Sequence, residues 1–241
     1  MSGAGSSPHK TIVAIDGPSG VGKSTVGKRL ASRLGLPYLD TGAMYRAVGL
    51  AGRRTGLVLP IEDPEPWVTI ANRSDVRVTG SAGDARTFLD GEDVSDAIRT
   101  PEISLYASAV SAISGVRRRL AGLQRELALS GGGVLEGRDI GTKVVPEAPH
   151  KFFLTAGAGV RADRRFRELN AIGKPQPYDE VLAQMQARDE ADSTRADSPL
   201  TCDDSYTRVD TSELSIDQVV ELLLTLVERG SGNGTPEVDP G

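Results

Sequence analysis

The amino-acid sequence has little of several features that define whole classes of protein. It contains one cysteine, Cys202, and aromatic residues make up only 4% of it. A single cysteine excludes an internal disulfide and a Cys-rich metal site, which fits a reducing cytosol. The chain also has no apolar run of about 18 residues, the minimum for a membrane-spanning helix, and residues 1–10 lack the apolar centre of a signal peptide. We therefore expect a cytoplasmic protein that does not enter the membrane and has an aliphatic core.

The net charge of the chain restricts the class of molecule that it is expected to bind. The formal net charge is −5 and the isoelectric point is about 5.2, whereas a general nucleic-acid binder is usually basic. Arginines nevertheless cluster locally, which indicates a confined anionic ligand and no nucleic acid. The length of 241 residues suits one large or two small domains. The ends, at 1–9 and 230–241, are rich in Gly, Ser or Pro and are predicted to be flexible tails.

Short β-branched runs alternate with helical patterns along most of the chain. We predict strands at 11–16, 36–40, 133–136, 151–154 and 206–210. We predict helices at 22–34, from 41 onward with Thr41 as its N-cap, at 101–129 with a break at 114–115, and at 159–171, 178–191 and 215–228. Ser215 and Gln218 have the spacing of a capping box for the last helix. This alternation favours a parallel sheet covered by helices on both faces.

One stretch departs from that alternation. Residues 59–66 carry three prolines and are predicted to be a connection. Residues 75–79 and 86–89 are β-like and flank a turn at 80–84, so we predict a hairpin. Because the hairpin lies between helical regions, we interpret it as a small antiparallel insertion outside the main sheet.

The strongest motif follows the first predicted strand and opens the first predicted helix. It has the pattern G-x-x-x-x-G-K-S and consists of Gly17, Pro18, Ser19, Gly20, Val21, Gly22, Lys23 and Ser24. Its glycines let backbone N–H groups converge on phosphate oxygens, and the helix N-terminus adds partial positive charge. Lys23 would reach the β and γ phosphates, and the Ser24 hydroxyl would ligate Mg²⁺. The motif predicts a nucleoside triphosphate site, here called the P-loop.

Switch GTPases share the P-loop, but they also need a guanine-reading segment of the N-K-x-D or T-K-x-D type. The chain has none, since Thr142 and Lys143 are followed by Val144 and Val145. The P-loop therefore identifies the donor nucleotide site without naming the reaction.

Two further segments carry groups that bind phosphate. In 40–46, Thr41 and Arg46 place a hydroxyl and a guanidinium near the start of a helix, and arginine binds phosphate bidentately. In 136–142, Arg138 and Asp139 follow a strand, at the end of the sheet where ligands bind in open α/β folds. Taken alone, the first segment is better described as an N-cap threonine with a solvated arginine, and the second is equally well described as a loop ion pair.

Two helical segments add more arginines. Arg188, Asp192 and Arg195 have i, i+4, i+7 spacing and would share a helix face, which suits recognition of a phosphate and a polar base edge. A surface stripe of ion pairs is the alternative. The other segment contains Arg161, Arg164, Arg165 and Arg167. Arginines on a lid can neutralise charge on a transferred phosphoryl group, although a basic helix face would have the same pattern.

Taken together, five segments resemble the bacterial cytidylate kinases, of the nucleoside monophosphate kinase group. They are 15–25, 39–46, 89–103, 136–142 and 188–200, and the resemblance extends from about residue 10 to residue 229. The P-loop segment occurs in many enzymes, but the other four in this order are specific.

The resemblance implies a fold and a reaction. The fold would be α/β, a parallel five-stranded sheet with helices on both faces, in a single kinase domain at 10–229. A monophosphate-binding insertion would lie at about 60–98 and a short lid at about 157–173. The enzyme would transfer the γ-phosphoryl group of ATP, with Mg²⁺ as cofactor, to CMP or dCMP. A monomer is the expectation for the family.

The resemblance also implies residue roles. Lys23, Arg138, Asp139 and Arg188 would be catalytic. ATP would be bound by the P-loop, Thr25 and, from the lid, Arg161 and Arg165. The acceptor phosphate, sugar and cytosine would be bound by Thr41, Tyr45, Arg46, Arg99, Ser108, Arg117, Gly137, Arg138, Asp139, Arg188, Asp192 and Arg195, with Ser108 and Arg117 facing the base.

Other functions remain open on the residues alone. A kinase acting on UMP, AMP or a metabolite alcohol would carry the same P-loop, and a regulatory nucleotide-binding module without transfer activity is a second class. The many arginines beyond the P-loop argue against the module, because they indicate a second anion site.

Overall fold

Five parallel strands form the central sheet of the computed structural model, which describes residues 11–79 and 84–230. The strands of the chain are β1 Ile12–Asp16, β2 Tyr38–Asp40, β3 Val76–Thr79, β4 Arg86–Leu89, β5 Glu92–Asp93, β6 Gly133–Glu136, β7 His150–Thr155 and β8 Thr207–Asp210. The central sheet has the order β2-β6-β1-β7-β8, and β3, β4 and β5 form a separate antiparallel sheet. The predicted α/β sheet and the predicted hairpin are confirmed.

Helices follow the strands of the main sheet. They are α1 Lys23–Leu34, α2 Thr41–Arg54, α3 Glu65–Arg73, α4 Pro101–Val110, α5 Ser114–Gly131, α6 Ala158–Ala171, α7 Tyr178–Thr194 and α8 Ile216–Gly230. A π-helical turn at Ile140–Val144 follows β6. No helix within the described residues combines the length and apolar character needed to cross a bilayer.

Each face of the main sheet is covered by its own core. Strand β1 is buried along its whole length, and alternate side chains enter opposite cores because successive residues of a strand point to opposite faces. Ala14 packs in the core that contains α2 to α5 residues such as Met44 and Trp67. Ile15 packs in the core that contains α1 and α8 residues such as Leu30. The predicted site segments 17–24 and 137–139 directly follow the carboxyl ends of β1 and β6.

Two peripheral units flank this end of the sheet. The antiparallel sheet packs against α2. Helices α6 and α7 form a helical hairpin with a small core of its own, which includes Ala162, Leu169, Val181 and Met185. The antiparallel sheet lies within the stretch predicted as the insertion, and α6, but not α7, lies within the stretch predicted as the lid; both roles stay predictions.

Several local predictions need correction. Helix α3 occupies part of the segment that was predicted only as a connection, because Pro66 stands in its first turn, where a missing N–H costs nothing. Asp40, not Thr41, is the N-cap of α2, and its carboxylate accepts a hydrogen bond from the Ala43 N–H at 3.0 Å. The break in the long helix falls at 111–113, one turn before the predicted position.

The capping box of α8 is confirmed: the Gln218 N–H donates to Ser215 Oγ, and the Ser215 N–H donates to Gln218 Oε1. The predicted tail at 1–9, all but the first residue of the tail at 230–241, and the hairpin turn up to residue 83 lie outside the described residues.

Candidate active site

The P-loop connects β1 to α1 at the centre of the sheet. Its first residue, Gly17, has φ +146°, and a Cβ there would lie 2.2 Å from the Leu154 carbonyl oxygen of β7. Gly22 has φ +92° and is the N-cap of α1. Only glycine adopts such conformations freely, so these two positions set the curve of the loop.

Lys23, the first residue of α1, is buried beneath the loop and is 7% exposed. Its Nζ donates a hydrogen bond to the Pro18 carbonyl oxygen at 2.6 Å. Burial first, and then repulsion from Arg138 and Arg188, lowers the pKa of Lys23 well below its usual value, while Glu136 opposes this effect. A bound anion beside Lys23 would raise this pKa again, because an opposite charge favours the ammonium form.

A carboxylate and a hydroxyl stand beside the P-loop. Ser24 is exposed in the first turn of α1, and its hydroxyl lies near the carboxylate of Glu136 at the end of β6. Glu136 accepts a hydrogen bond from the Tyr38 hydroxyl. Burial and the neighbouring Asp40 raise the pKa of Glu136. Sequence reasoning gave Glu136 no role, because only the pairing of β6 with β1 brings it to the P-loop.

Thr41 and Arg46 lie on α2, next to Glu136. The Thr41 hydroxyl donates to the Glu136 carbonyl oxygen at 2.6 Å, so the side chain ties α2 to β6. Arg46 Nη2 donates to Asp40 Oδ2 at 2.7 Å. Arg46 Nε is buried and has no hydrogen-bond partner among the described residues, which is unusual for a buried donor.

The segment that follows β6 is anchored from below by Asp16. Its carboxylate accepts hydrogen bonds from the N–H groups of Ile140 (3.0 Å) and Gly141 (2.9 Å) and from the Tyr206 hydroxyl (2.7 Å). Gly137 sits where a Cβ would lie 2.9 Å from Thr41 Oγ1. The anchor holds the next two residues of the chain, Arg138 and Asp139, at the carboxyl end of the sheet.

Arg138 lies between the P-loop and α7. Its Nε donates to Asp192 Oδ2 at 2.8 Å, and its Nη1 donates to the Gly137 carbonyl oxygen at 3.1 Å. Arg188 faces the same space from α7. Burial, followed by repulsion from Arg138, lowers the pKa of Arg188 to about 10. Arg188 Nε is buried without a hydrogen-bond partner in the described part of the chain.

Asp139 belongs to a second buried ion-pair group. It accepts a hydrogen bond from Arg117 of α5 and lies 3.8 Å from Arg195 Nη2. Arg195 is the C-cap residue of α7, one position beyond the helix, and its Nη1 lies 3.3 Å from Asp192 Oδ1. The predicted grouping of Arg188, Asp192 and Arg195 is therefore found in space, although the last member is outside the helix.

Three further residues predicted to bind the acceptor, Ser108, Arg117 and Arg99, lie in different surroundings. The guanidinium of Arg117 lies 5.5 Å from the centre of the Tyr45 ring, within range of a cation–π interaction. Ser108 lies on α4, and its carbonyl oxygen accepts a hydrogen bond from the Ser111 hydroxyl. Arg99 is exposed, and its Nε donates to the Ser95 carbonyl oxygen at 3.2 Å. It lines a narrow cleft between the antiparallel sheet and the main domain, together with Arg46.

The two lid arginines predicted to bind ATP lie in different places. Arg161 Nη1 donates to the Ser19 carbonyl oxygen of the P-loop at 3.2 Å and to the carboxylate of Asp189. Arg165 instead pairs with Glu168 on the same helix, and the two side chains are 37% and 61% exposed. The structure thus brings Arg161 to the P-loop but not Arg165. Asp189 was not predicted as a site residue.

Four cationic side chains therefore converge from four parts of the chain. They are Lys23 of α1, Arg138 after β6, Arg188 of α7 and Arg46 of α2, whose charge also lowers the pKa of Arg188. Burying like charges together is costly unless anions neutralise them. This arrangement can hold a polyphosphate on the P-loop side and a second phosphate on the Arg46 side.

Comparisons with known proteins agree with this geometry. A family model described as "Cytidylate kinase" matches residues 13–229. The chain is 49% identical to a cytidylate kinase of Syntrophotalea carbinolica over 219 residues, which is 91% of this chain and 92% of that protein. It is also 49% identical to a cytidylate kinase of Mycobacterium leprae over 222 residues, covering 92% and 97%.

Among solved structures, an uncharacterized protein from Eubacterium ventriosum has a TM-score of 0.52 and 13% identity, with 91% of this chain and 99% of that chain covered. At that identity the likeness concerns the fold alone.

Proposed function

Since the chain belongs to the cytidylate kinase family, we propose that it transfers the γ-phosphoryl group of ATP to CMP or dCMP, giving ADP and CDP or dCDP. The observation that carries the proposal is the convergence of Lys23, Arg138, Arg188 and Arg46 in one buried space. Two phosphate groups that meet there would neutralise cations that otherwise repel one another.

The donor half of the site is the P-loop. Backbone N–H groups between Gly20 and Ser24 would surround the β and γ phosphates, and Lys23 would leave the Pro18 carbonyl oxygen for a phosphate oxygen. Thr25, exposed in the same helical turn, is available to the nucleotide. Arg161 is positioned at the edge of the loop to meet the donor phosphates. For Arg165, a role in ATP binding stays a prediction.

Ser24 and Glu136 fit a magnesium ion, because Mg²⁺ prefers oxygen ligands and is usually held by few protein groups together with nucleotide phosphates. The Ser24 hydroxyl is exposed and lies near the Glu136 carboxylate, so both oxygens lie at the loop. Bound with ATP, Mg²⁺ supplies positive charge to the β and γ phosphates. Ser24 and Glu136 would then hold and orient it.

The acceptor half consists of the arginines opposite the P-loop. Arg46, Arg138 and Arg188 would bind the phosphate of CMP and bring one of its oxygens in line with the γ phosphorus. That oxygen is already ionised near neutral pH, since the second pKa of a phosphate monoester is about 6. The reaction therefore needs positioning and charge neutralisation more than a general base.

The nucleoside of the acceptor would bind on the side of α4, α5 and the end of α7. We assign the base to Ser108 and Arg117, with Tyr45 behind Arg117, and the sugar to Asp139 and Asp192. The ion pairs of these two carboxylates with Arg117, Arg138 and Arg195 support this assignment, because they hold the polar groups in fixed positions. The roles of Thr41, Gly137 and Arg99 in acceptor binding also belong to the proposal.

Closure of the peripheral units would exclude water, the competing acceptor. We propose the region at about 60–98 as the monophosphate-binding insertion and 157–173 as the lid. The monomeric state and the cytoplasmic location remain predictions.

An acceptor panel tests the proposal. With ATP and Mg²⁺, ADP release should depend on CMP or dCMP and be much slower with UMP, AMP or no acceptor. Lys23→Ala should lower the rate by about 100-fold or more, because the negative charge on the transferred γ-phosphoryl group would no longer be stabilised by the Lys23 ammonium group. Lys143→Ala, which removes an exposed lysine, should leave the rate unchanged. Turnover with another acceptor but not with CMP or dCMP would contradict the substrate assignment, and full activity of Lys23→Ala would contradict the mechanism.

A further inference from the structure

The carboxylate of Asp189 joins three parts of the candidate active site. It accepts hydrogen bonds from the Ser19 N–H at 3.0 Å and from the Ser19 hydroxyl at 2.9 Å, and its other oxygen accepts one from Arg161 Nη1. Ser19 belongs to the P-loop, Arg161 to α6 and Asp189 to α7. One side chain therefore links the donor loop to both helices of the α6–α7 hairpin.

These bonds differ from an ordinary surface ion pair. Arg161 and Asp189 are only 12% and 17% exposed, whereas Arg165 and Glu168 on the outer side of α6 are 37% and 61% exposed. Charge-assisted hydrogen bonds gain strength when water is excluded. One donor is a backbone N–H of the P-loop itself, so the contact depends on the shape of that loop.

Two adjacent faces of α7 serve the two halves of the site. Met185 and Asp189, four residues apart, lie on the face toward the P-loop: a Cβ on Gly20 would lie 2.6 Å from the Met185 methyl group. Arg188 and Asp192 lie on the face toward Arg138. The contact of Asp189 with Ser19 is thus made on the donor side of α7, apart from the acceptor-side residues Arg188 and Asp192.

Arg161 is held in place by this contact. Its Nε donates to the Ala156 carbonyl oxygen at 3.0 Å, and its Nη1 is shared between the Ser19 carbonyl oxygen and Asp189. A flexible arginine loses considerable side-chain entropy when it is fixed. The hydrogen bond to Asp189 orders the Arg161 side chain before ATP binds and holds its guanidinium at the edge of the P-loop.

We propose that Asp189 is a positioning residue for phosphoryl transfer, which clamps Ser19 of the P-loop to Arg161 and so fixes Arg161 against the donor phosphates. The inference rests on the proposed function, since it assigns the donor nucleotide to the P-loop. Asp189 touches neither substrate; it acts through Ser19 and Arg161.

The test compares Asp189→Ala and Asp189→Asn with Glu190→Gln, a control that removes an exposed carboxylate from the same helix. For Asp189→Ala we expect the KM for ATP to rise and kcat to fall, each by about tenfold or more, because small misplacements are costly in transfer reactions. The KM for CMP should stay within about twofold. Asp189→Asn should be milder, since its amide oxygen still accepts from Ser19. Thermal unfolding reports whether each variant is folded.

A double-variant cycle strengthens the test. Ser19→Ala removes the hydroxyl that donates to Asp189, so combining it with Asp189→Ala should cost less than the two single effects added together. Equal increases in both KM values, or strict additivity, would overturn the proposal. A lower KM for ATP in Asp189→Asn would also overturn it, because the carboxylate would then obstruct the donor site.

Failure of the proposed function gives a different result. If the wild-type protein showed no CMP-dependent ADP release, the kinase assignment would be wrong. Calorimetric titration with ATP would still test whether Asp189 positions Ser19 and Arg161 for the donor nucleotide. Weaker ATP binding by Asp189→Ala than by Glu190→Gln supports it, and equal binding overturns it.

Discussion

Asp139→Asn is the substitution for which the structure makes the sharpest prediction. One carboxylate here serves two guanidiniums: it accepts a hydrogen bond from Arg117 and lies 3.8 Å from Arg195 Nη2. The side chains of Asp139, Arg117 and Arg195 are 8%, 4% and 6% exposed. Removal of the negative charge leaves two buried arginines that repel each other. Burial first, and then this repulsion from Arg117, already lowers the pKa of Arg195.

The expected magnitude follows from this burial. Removal of one partner of a buried ion pair costs about 3–5 kcal/mol of folding free energy. Asparagine keeps an oxygen that accepts from Arg117, and the Tyr45 ring lies 5.5 Å from that guanidinium, so we expect the lower end, about 3 kcal/mol. In a domain of this size 1 kcal/mol shifts Tm by about 2–4 °C, so Tm should fall by about 6–12 °C.

Thermal unfolding followed by far-ultraviolet circular dichroism at pH 7 measures the effect. Asp204→Asn is the matched control, because it removes the same charge from an exposed position. The kcat/KM for CMP should also fall in Asp139→Asn, since Arg117 loses the partner that orients it. A Tm within about 2 °C of the Asp204→Asn variant would refute the assignment of Asp139 as the counter-ion that the buried arginines require.

Two further predictions concern stability. Gly52→Ala should cost at least about 1–3 kcal/mol by overpacking, because a Cβ there would lie 2.0 Å from the buried Trp67 ring. Gly122→Ala should instead add about 0.5–1 kcal/mol, because a Cβ at this helical position would meet no atom within 4 Å from the rest of the described chain, beyond its neighbours and its own helix backbone. Urea unfolding of both variants checks this, and similar free energies of unfolding would contradict it. His150 is buried, which lowers its pKa, so the unfolded chain binds the proton more readily and stability should fall as pH drops below about 6.5, the ordinary value. In His150→Gln that part of the pH dependence should disappear from unfolding curves between pH 7 and pH 5, and an unchanged slope would show that His150 does not cause it.

Local sequence patterns were enough to predict those features that consist of contiguous residues. The P-loop is eight successive residues between a strand and a helix, and both elements follow from their own sequences. The boundaries of α1 and of the hairpin strands agree with the predictions within a residue or two. Helix α3 was missed because its prolines suggest a connection, although Pro64 and Pro66 stand at its start, where they are tolerated. Thr41 was assigned as a cap because serine and threonine commonly cap helices, but Asp40 takes that position.

Residues that act across strands and helices could not be predicted in the same way. Glu136 reaches Ser24 only because β6 pairs with β1. Asp189 reaches Ser19 only because the α6–α7 hairpin lies on the P-loop. In the sequence both resemble ordinary carboxylates, one at a strand end and one on a charged helix.

By itself the sequence determined the alternation of strands and helices, the phosphate-binding loop and the family, since each is encoded in short segments whose chemistry does not depend on distant partners. The tertiary structure alone decided which arginine of α6 meets the P-loop, which carboxylates pair with which guanidiniums, and which cations share one buried space. The physical reason is that hydrogen bonds and charge interactions act over a few ångströms, and only folding brings residues such as Ser19 and Asp189, 170 positions apart, within that range.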